Sequence, residues 1–159
     1  MTAADLTLTK DFLASPEAVA KGLDILNTRV FKESDDRFLL TVGSVSTNGS
    51  CLMTFNGKTF AVQFGEFSEY CREMNGYLSK ALPYVANDNQ KVMIEKYIES
   101  YETGSIPAHK DSQRAWVKDK GPVVESNMGW IETYIDPENA RAYYEGWVAV
   151  VDKEKSRKF

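Results

Sequence analysis

Cys51-Leu52-Met53-Thr54-Phe55-Asn56-Gly57-Lys58-Thr59-Phe60-Ala61-Val62-Gln63-Phe64 reads as two short strands and a two-residue turn. Asn56-Gly57 is a strong hairpin signal, because both residue types tolerate the positive φ that a tight turn demands. Upstream, residues 37–46 are strand-like, rich in Phe, Leu, Val and Thr, and Thr47-Asn48-Gly49 turns the chain. Before them, Ser15 caps and Pro16 opens a helix. Val19, Leu23, Ile25, Leu26 and Val30 carry it at near-helical spacing to about Phe31, and residues 32–36 form a turn.

Downstream, from about residue 66 to 102, the period becomes helical. Phe67, Tyr70, Met74, Tyr77, Leu78, Leu82 and Val85 recur three or four apart. Pro83 kinks or ends that helix, and Asn87-Asp88-Asn89 separates it from a second carrying Val92, Met93, Tyr97 and Ile98. Gly104 stops the second helix. A third spans about 107–117. Residues 123–135 then read as a long extended run, Asp136-Pro137-Glu138-Asn139 as a turn, and 145–152 as a returning strand. Strands, then helices, then a long hairpin predict an α+β fold with three or four helices.

The chain has 159 residues, suited to one domain. Its 43% hydrophobic and 26% charged content is that of an ordinary globular protein. The net charge of −4 argues against a nucleic-acid partner, which needs a basic face. The short basic run Lys153-Glu154-Lys155-Ser156-Arg157-Lys158 reads as a solvated face or tail. No apolar run approaches a membrane span, so no membrane partner is expected. Met1-Thr2-Ala3-Ala4-Asp5 carries no secretory signal, so the expected location is cytoplasmic. Cys51 and Cys71 lie among apolar residues and read as buried reduced thiols.

Catalytic motifs are scarce. His109 is the single histidine, and a zinc site normally needs more, so a structural role is expected for it. There is no GxSxG, GxGxxG or phosphate-binding loop. Glu125 and Glu132 lie in the long extended run at an odd separation. An ideal strand points them to opposite faces, so they do not form an acid/base pair.

Several stretches together point further. Asn27-Thr28-Arg29-Val30-Phe31-Lys32-Glu33, the run from Tyr97 to Lys110 (YIESYETGSIPAHK), and Asp119-Lys120-Gly121-Pro122-Val123-Val124-Glu125-Ser126 follow in order. Met128-Gly129-Trp130-Ile131-Glu132-Thr133-Tyr134, Asp136-Pro137 and Glu145-Gly146-Trp147-Val148-Ala149-Val150-Val151 complete the set. These motifs resemble, in the same order, those of the dipeptidyl peptidase III family of zinc metallo-exopeptidases.

The resemblance implies an internal segment of a two-lobed enzyme that releases dipeptides from the N-termini of oligopeptides. Residues 1–159 would be a single partial domain of the lower lobe, with antiparallel β-barrel-like strands. The family binds zinc through an HExxGH helix and a downstream glutamate in the upper lobe. Neither that motif nor HExxH occurs here, so no metal ligand is expected in this chain. The isolated chain would be inactive, its partners being an oligopeptide substrate and the remainder of the enzyme. The family's role for the glutamate of VES, holding the substrate's N-terminal amine, falls on Glu125. A carboxylate suits it, since it pairs with an ammonium through charge-assisted hydrogen bonds. Asn127 stands where many members have a tyrosine that helps stabilise the transition state. Backbone from Asn127 to Gly129 would pair with an extended peptide as an added strand. The alternative is a non-catalytic peptide- or protein-binding module derived from the same family.

Overall fold

The computed structural model describes residues 1–158. The hairpin forms as its sequence dictates. Strands β3 (Cys51–Phe55) and β4 (Lys58–Glu66) pair antiparallel. Asn56 and Gly57 both hold positive φ, 48° and 75°, as a tight hairpin turn requires. Strand β2 (Arg37–Gly43) lies along the other side of β4, and β1 (Thr28–Ser34) along the outside of β2, giving the order β1-β2-β4-β3.

Strict alternation along β2 and β4 gives this sheet one apolar face. Phe38, Leu40, Val42, Phe60, Val62 and Phe64 are buried on it. Helix α1 (Ala3–Leu13) and the short α2 (Pro16–Ala20) cover that face with Phe12, Leu13 and Ala18. Phe12 stacks on Phe60 with ring centroids 4.0 Å apart, and Phe38 on Phe60 at 5.2 Å. Burial of each such ring contributes about 1.5–3 kcal/mol.

Three helices make the second half. Helices α3 (Ser68–Ala81), α4 (Asp88–Thr103) and α5 (Ile106–Trp116) match the expected helical region. Gly104 ends α4 in the left-handed conformation at φ 77°, and its N–H returns to the Ser100 carbonyl (2.8 Å). Strands β5 (Val124–Trp130) and β6 (Tyr144–Val150) form a separate antiparallel ribbon, and a short α6 (Lys153–Ser156) follows. Met93, Tyr97, Tyr101, Ala115 and Trp130 form a second buried cluster among these elements.

The two halves are welded at one point. Val45 and Ser46 donate their N–H groups to the carbonyls of Tyr101 and Glu102 in the last turn of α4 (2.8 and 2.9 Å). The Asn27 amide donates to the Gly104 carbonyl (2.8 Å). Trp130 lies against Gly43, where an added Cβ would stand 2.6 Å from the indole.

The α+β class holds, and several details differ from the sequence reading. The expected helix from Ser15 stops at Ala20. Gly22 turns the chain at φ 75°, Asp24 caps a single 3₁₀ turn, and the β-branched and aromatic residues from Thr28 on join the sheet as β1. Helix α1 lies before the first helix that the sequence predicts, and Thr2 and Asp5 open it with a reciprocal capping box. The described residues hold six α-helices rather than three or four.

The strands do not close into a barrel, nor are they all antiparallel. β2 and β4 run parallel, because β4 is inserted between β2 and its own hairpin partner β3. The β5–β6 ribbon pairs with no other described strand. Trp147 is 47% exposed, and Val148 and Val150 are more so, because nothing among the described residues covers β6. No described helix is long and apolar enough to cross a membrane.

Phe60→Ala is expected to cost about 3–5 kcal/mol, a large share of the stability of a domain this size. Leu52→Ala, on the open face of β3 at 68% exposure, should fall within about 0.5 kcal/mol of the native chain. Urea unfolding followed by circular dichroism measures both.

Candidate functional site

Side chains alternate along β5, so Glu125, Asn127 and Gly129 share one face. That face lies on α5, not on open solvent. Its three partners, Trp116, Gln113 and His109, stand three and four residues apart on one side of the helix.

The Trp116 indole N–H donates to Glu125 Oε1 (2.5 Å), and the carboxylate stays partly exposed. Among the described residues no cation pairs with it. The Asn127 amide donates to Gln113 Oε1 (3.0 Å), and the Gln113 amide in turn donates to the Tyr97 hydroxyl (3.1 Å). Asn127 Oδ1 is buried without a partner. Burial raises the Tyr97 phenol above its ordinary value, while the Gln113 amide and the Met128 backbone pull it back.

Gly129 is buried beneath the His109 imidazole at φ 150°. A Cβ there would stand within 2.7 Å of Nδ1, so only glycine admits the ring. His109 itself is 7% exposed and lies 6.2 Å from the Tyr97 ring. Burial, and secondarily Lys110, lower its pKa below the usual imidazole value.

The arrangement therefore brings the three sequence-derived site residues to one face but leaves them in different states. Glu125 is oriented and reachable, Asn127 is half-buried in an amide chain, and Gly129 is covered. Glu132 lies beyond the end of β5, exposed, with its carbonyl taking the Tyr143 N–H. Gln113 and Trp116 are partners of the strand that the sequence reading does not include. Their spacing with His109 on α5, set against the two-residue step of β5, is the signal that carries them.

Zinc does not fit the donors present. Among the described residues no three His, Cys, Asp or Glu side chains converge, and the one imidazole is held against Gly129 and Tyr97. Cys71, 1% exposed, is pushed up to about 11 by burial and stays a thiol.

Gly129→Ala forces the His109 ring aside and strains a glycine-only backbone, with an expected loss of about 2 kcal/mol or more. The double variant with His109→Ala should recover the steric share, a coupling that a double-mutant cycle in urea reads directly. His109 also predicts a pH effect. Its folded pKa lies below the unfolded value near 6.5, so the unfolded chain binds the proton first. Its contribution is full above about pH 6.5 and is lost as pH falls toward the lowered folded value. His109→Gln should flatten the stability profile in that window.

The model of peptidase family M49 matches residues 2–159. Dipeptidyl peptidase 3 of Dictyostelium discoideum is 43% identical over 141 residues, covering 88% of this chain and 20% of that protein. Dipeptidyl peptidase 3 of Homo sapiens is 40% identical over 172 residues, covering 99% and 23%. Among solved structures, dipeptidyl-peptidase III from Corallococcus sp. strain EGB superposes on the whole chain with a TM-score of 0.64 at 21% identity, over 25% of its own length. That likeness shows the fold. The chain belongs to peptidase family M49, and it spans only 20–23% of the length of these two dipeptidyl peptidase relatives.

Proposed function

We propose that this chain is part of a zinc-dependent dipeptidyl peptidase that releases N-terminal dipeptides from oligopeptides, and that it holds the substrate's free amino terminus. The observation that carries this reading is the Glu125 carboxylate, fixed by the Trp116 indole and partly exposed. A carboxylate has about four acceptor sites, so one bond to an indole leaves room for an ammonium. Holding the anion by a ring N–H orients it without neutralising it. An ammonium would meet a pre-aimed charge, worth about 1.5–3 kcal/mol in a charge-assisted bond.

Asn127 stands one step along the same face, and its amide is already committed to Gln113. It would act by keeping the strand seated on α5. Gly129 serves by letting the strand approach His109 rather than by touching peptide through a side chain. Pairing with an extended peptide then falls to the open end of β5, near Val124 and Glu125. Zinc would come from residues outside this sequence, in the remainder of the enzyme. The exposed Trp147, Val148 and Val150 of β6 support a larger protein in which this lower-lobe segment is covered. A cytoplasmic location completes the proposal.

The test compares a pentapeptide bearing a free N-terminal amine with its N-acetyl form, by calorimetry on the native chain and on Glu125→Gln. The free peptide should bind at least about tenfold tighter, and Glu125→Gln should abolish the preference. Equal binding of the two peptides to the native chain would sink the assignment. With added zinc the chain alone should release no dipeptide from a dipeptidyl-arylamide. Turnover lost in Glu125→Ala would reveal a metal centre within the chain and overturn the division of labour.

A further inference from the structure

The opposite face of β5 holds a separate cavity. It has a volume of about 500 Å³, the size of a small-ligand site, and lies between α3 and the β5–β6 ribbon. Trp130, Tyr144, Met74 and Phe67 form its apolar walls. Two of these walls are held by packing and hydrogen bonds. Trp130 is 5% exposed and pinned against Gly43, and Tyr144 meets it edge-on with centroids 5.3 Å apart. The Tyr144 hydroxyl is tied to the Tyr101 hydroxyl (3.3 Å) and to Met74 Sδ (3.0 Å).

One cation borders this apolar space. Arg141 lines it, its Nε is buried with no hydrogen-bond partner, and no ion pair among the described residues engages its guanidinium. The one acid that acts on it, Asp136, accepts the backbone N–H groups of Ala140 and Arg141 (2.9 and 3.1 Å) and makes no ion pair with the guanidinium. Burial and the neighbouring Arg29 charge both press on Arg141, lowering its pKa. A partly buried guanidinium without an anion is costly, and its planar fork is shaped for a carboxylate. Arg141 also borders a smaller cavity of about 240 Å³ beneath α1, whose walls lack the stacked rings.

We propose that the larger cavity binds a small carboxylate with an apolar, aromatic-sized body. Arg141 takes the carboxylate, and Trp130, Tyr144 and Met74 take the body. This site is independent of Glu125, which faces the other way from β5.

The probe is 3-phenylpropionate, with the neutral 3-phenylpropanamide as its match, each titrated into the 159-residue chain at neutral pH. Binding is followed by tryptophan fluorescence and by the methyl resonance of Met74. The acid should bind saturably, at least about tenfold tighter than the amide, and shift the Met74 methyl. Arg141→Gln, checked for an unchanged melting transition, should reduce the acid to the amide's affinity. Equal binding of acid and amide, no saturable binding of the acid, or an undisturbed Met74 would overturn the proposal. The acid–amide comparison uses the native chain alone, so it decides even where Arg141→Gln fails to fold.

Discussion

The last turn of α4 is the constraint on which the rest depends. A helix end leaves carbonyls with no partner inside the helix, and burying them unpaired is costly. Here the Val45 and Ser46 N–H groups, at the exit of β2, meet the carbonyls of Tyr101 and Glu102. Asn27, just before β1, caps the Gly104 carbonyl. Two distant parts of the chain are thereby fixed to the end of one helix. The Phe12–Phe60 core and the Tyr97–Tyr101 cluster become one body because backbone polar groups require it.

That joint sets the height at which β5 crosses the helices. Trp130 enters the crevice beside Gly43 and locks the strand's end. With Trp130 on one face, alternation puts Gly129, Asn127 and Glu125 on the other, against α5. Helical spacing there supplies His109, Gln113 and Trp116 in the matching order. Each contact is short-ranged, yet together they aim the Glu125 carboxylate without a cation. The same strand thus presents an anion on one side and an aromatic cavity bordered by Arg141 on the other. Its two faces differ because its two neighbours differ: a polar helix stripe beneath, an aromatic cluster across.

Much of the fold was legible where local chemistry is decisive. Asn56-Gly57 names its turn because few residue pairs tolerate two positive φ values. Gly104 names its helix end for the same reason. The β-branched and aromatic content of residues 37–46 reads as strand. Reading failed where the pattern was ambiguous. Val19 to Val30 has helical spacing, but Gly22 and Asp24 break it, and pairing with β2 recruits Val30 to a strand. Helix α1 has an ordinary capping box, and its role shows only through Phe12 meeting Phe60.

By itself the sequence determined the α+β class, the hairpin, the helix end at Gly104, and the order of motifs that marks the M49 family. These follow from backbone preferences and from runs of residues adjacent in the chain. Only the tertiary structure decided that β2 and β4 are parallel, that the ribbon stays separate, and that Glu125 is held by Trp116. It also decided that Gly129 lies beneath His109 and that Arg141 borders an aromatic cavity. Those facts depend on which side chains meet across space, and contact across space is set by packing and by the need to satisfy buried polar groups.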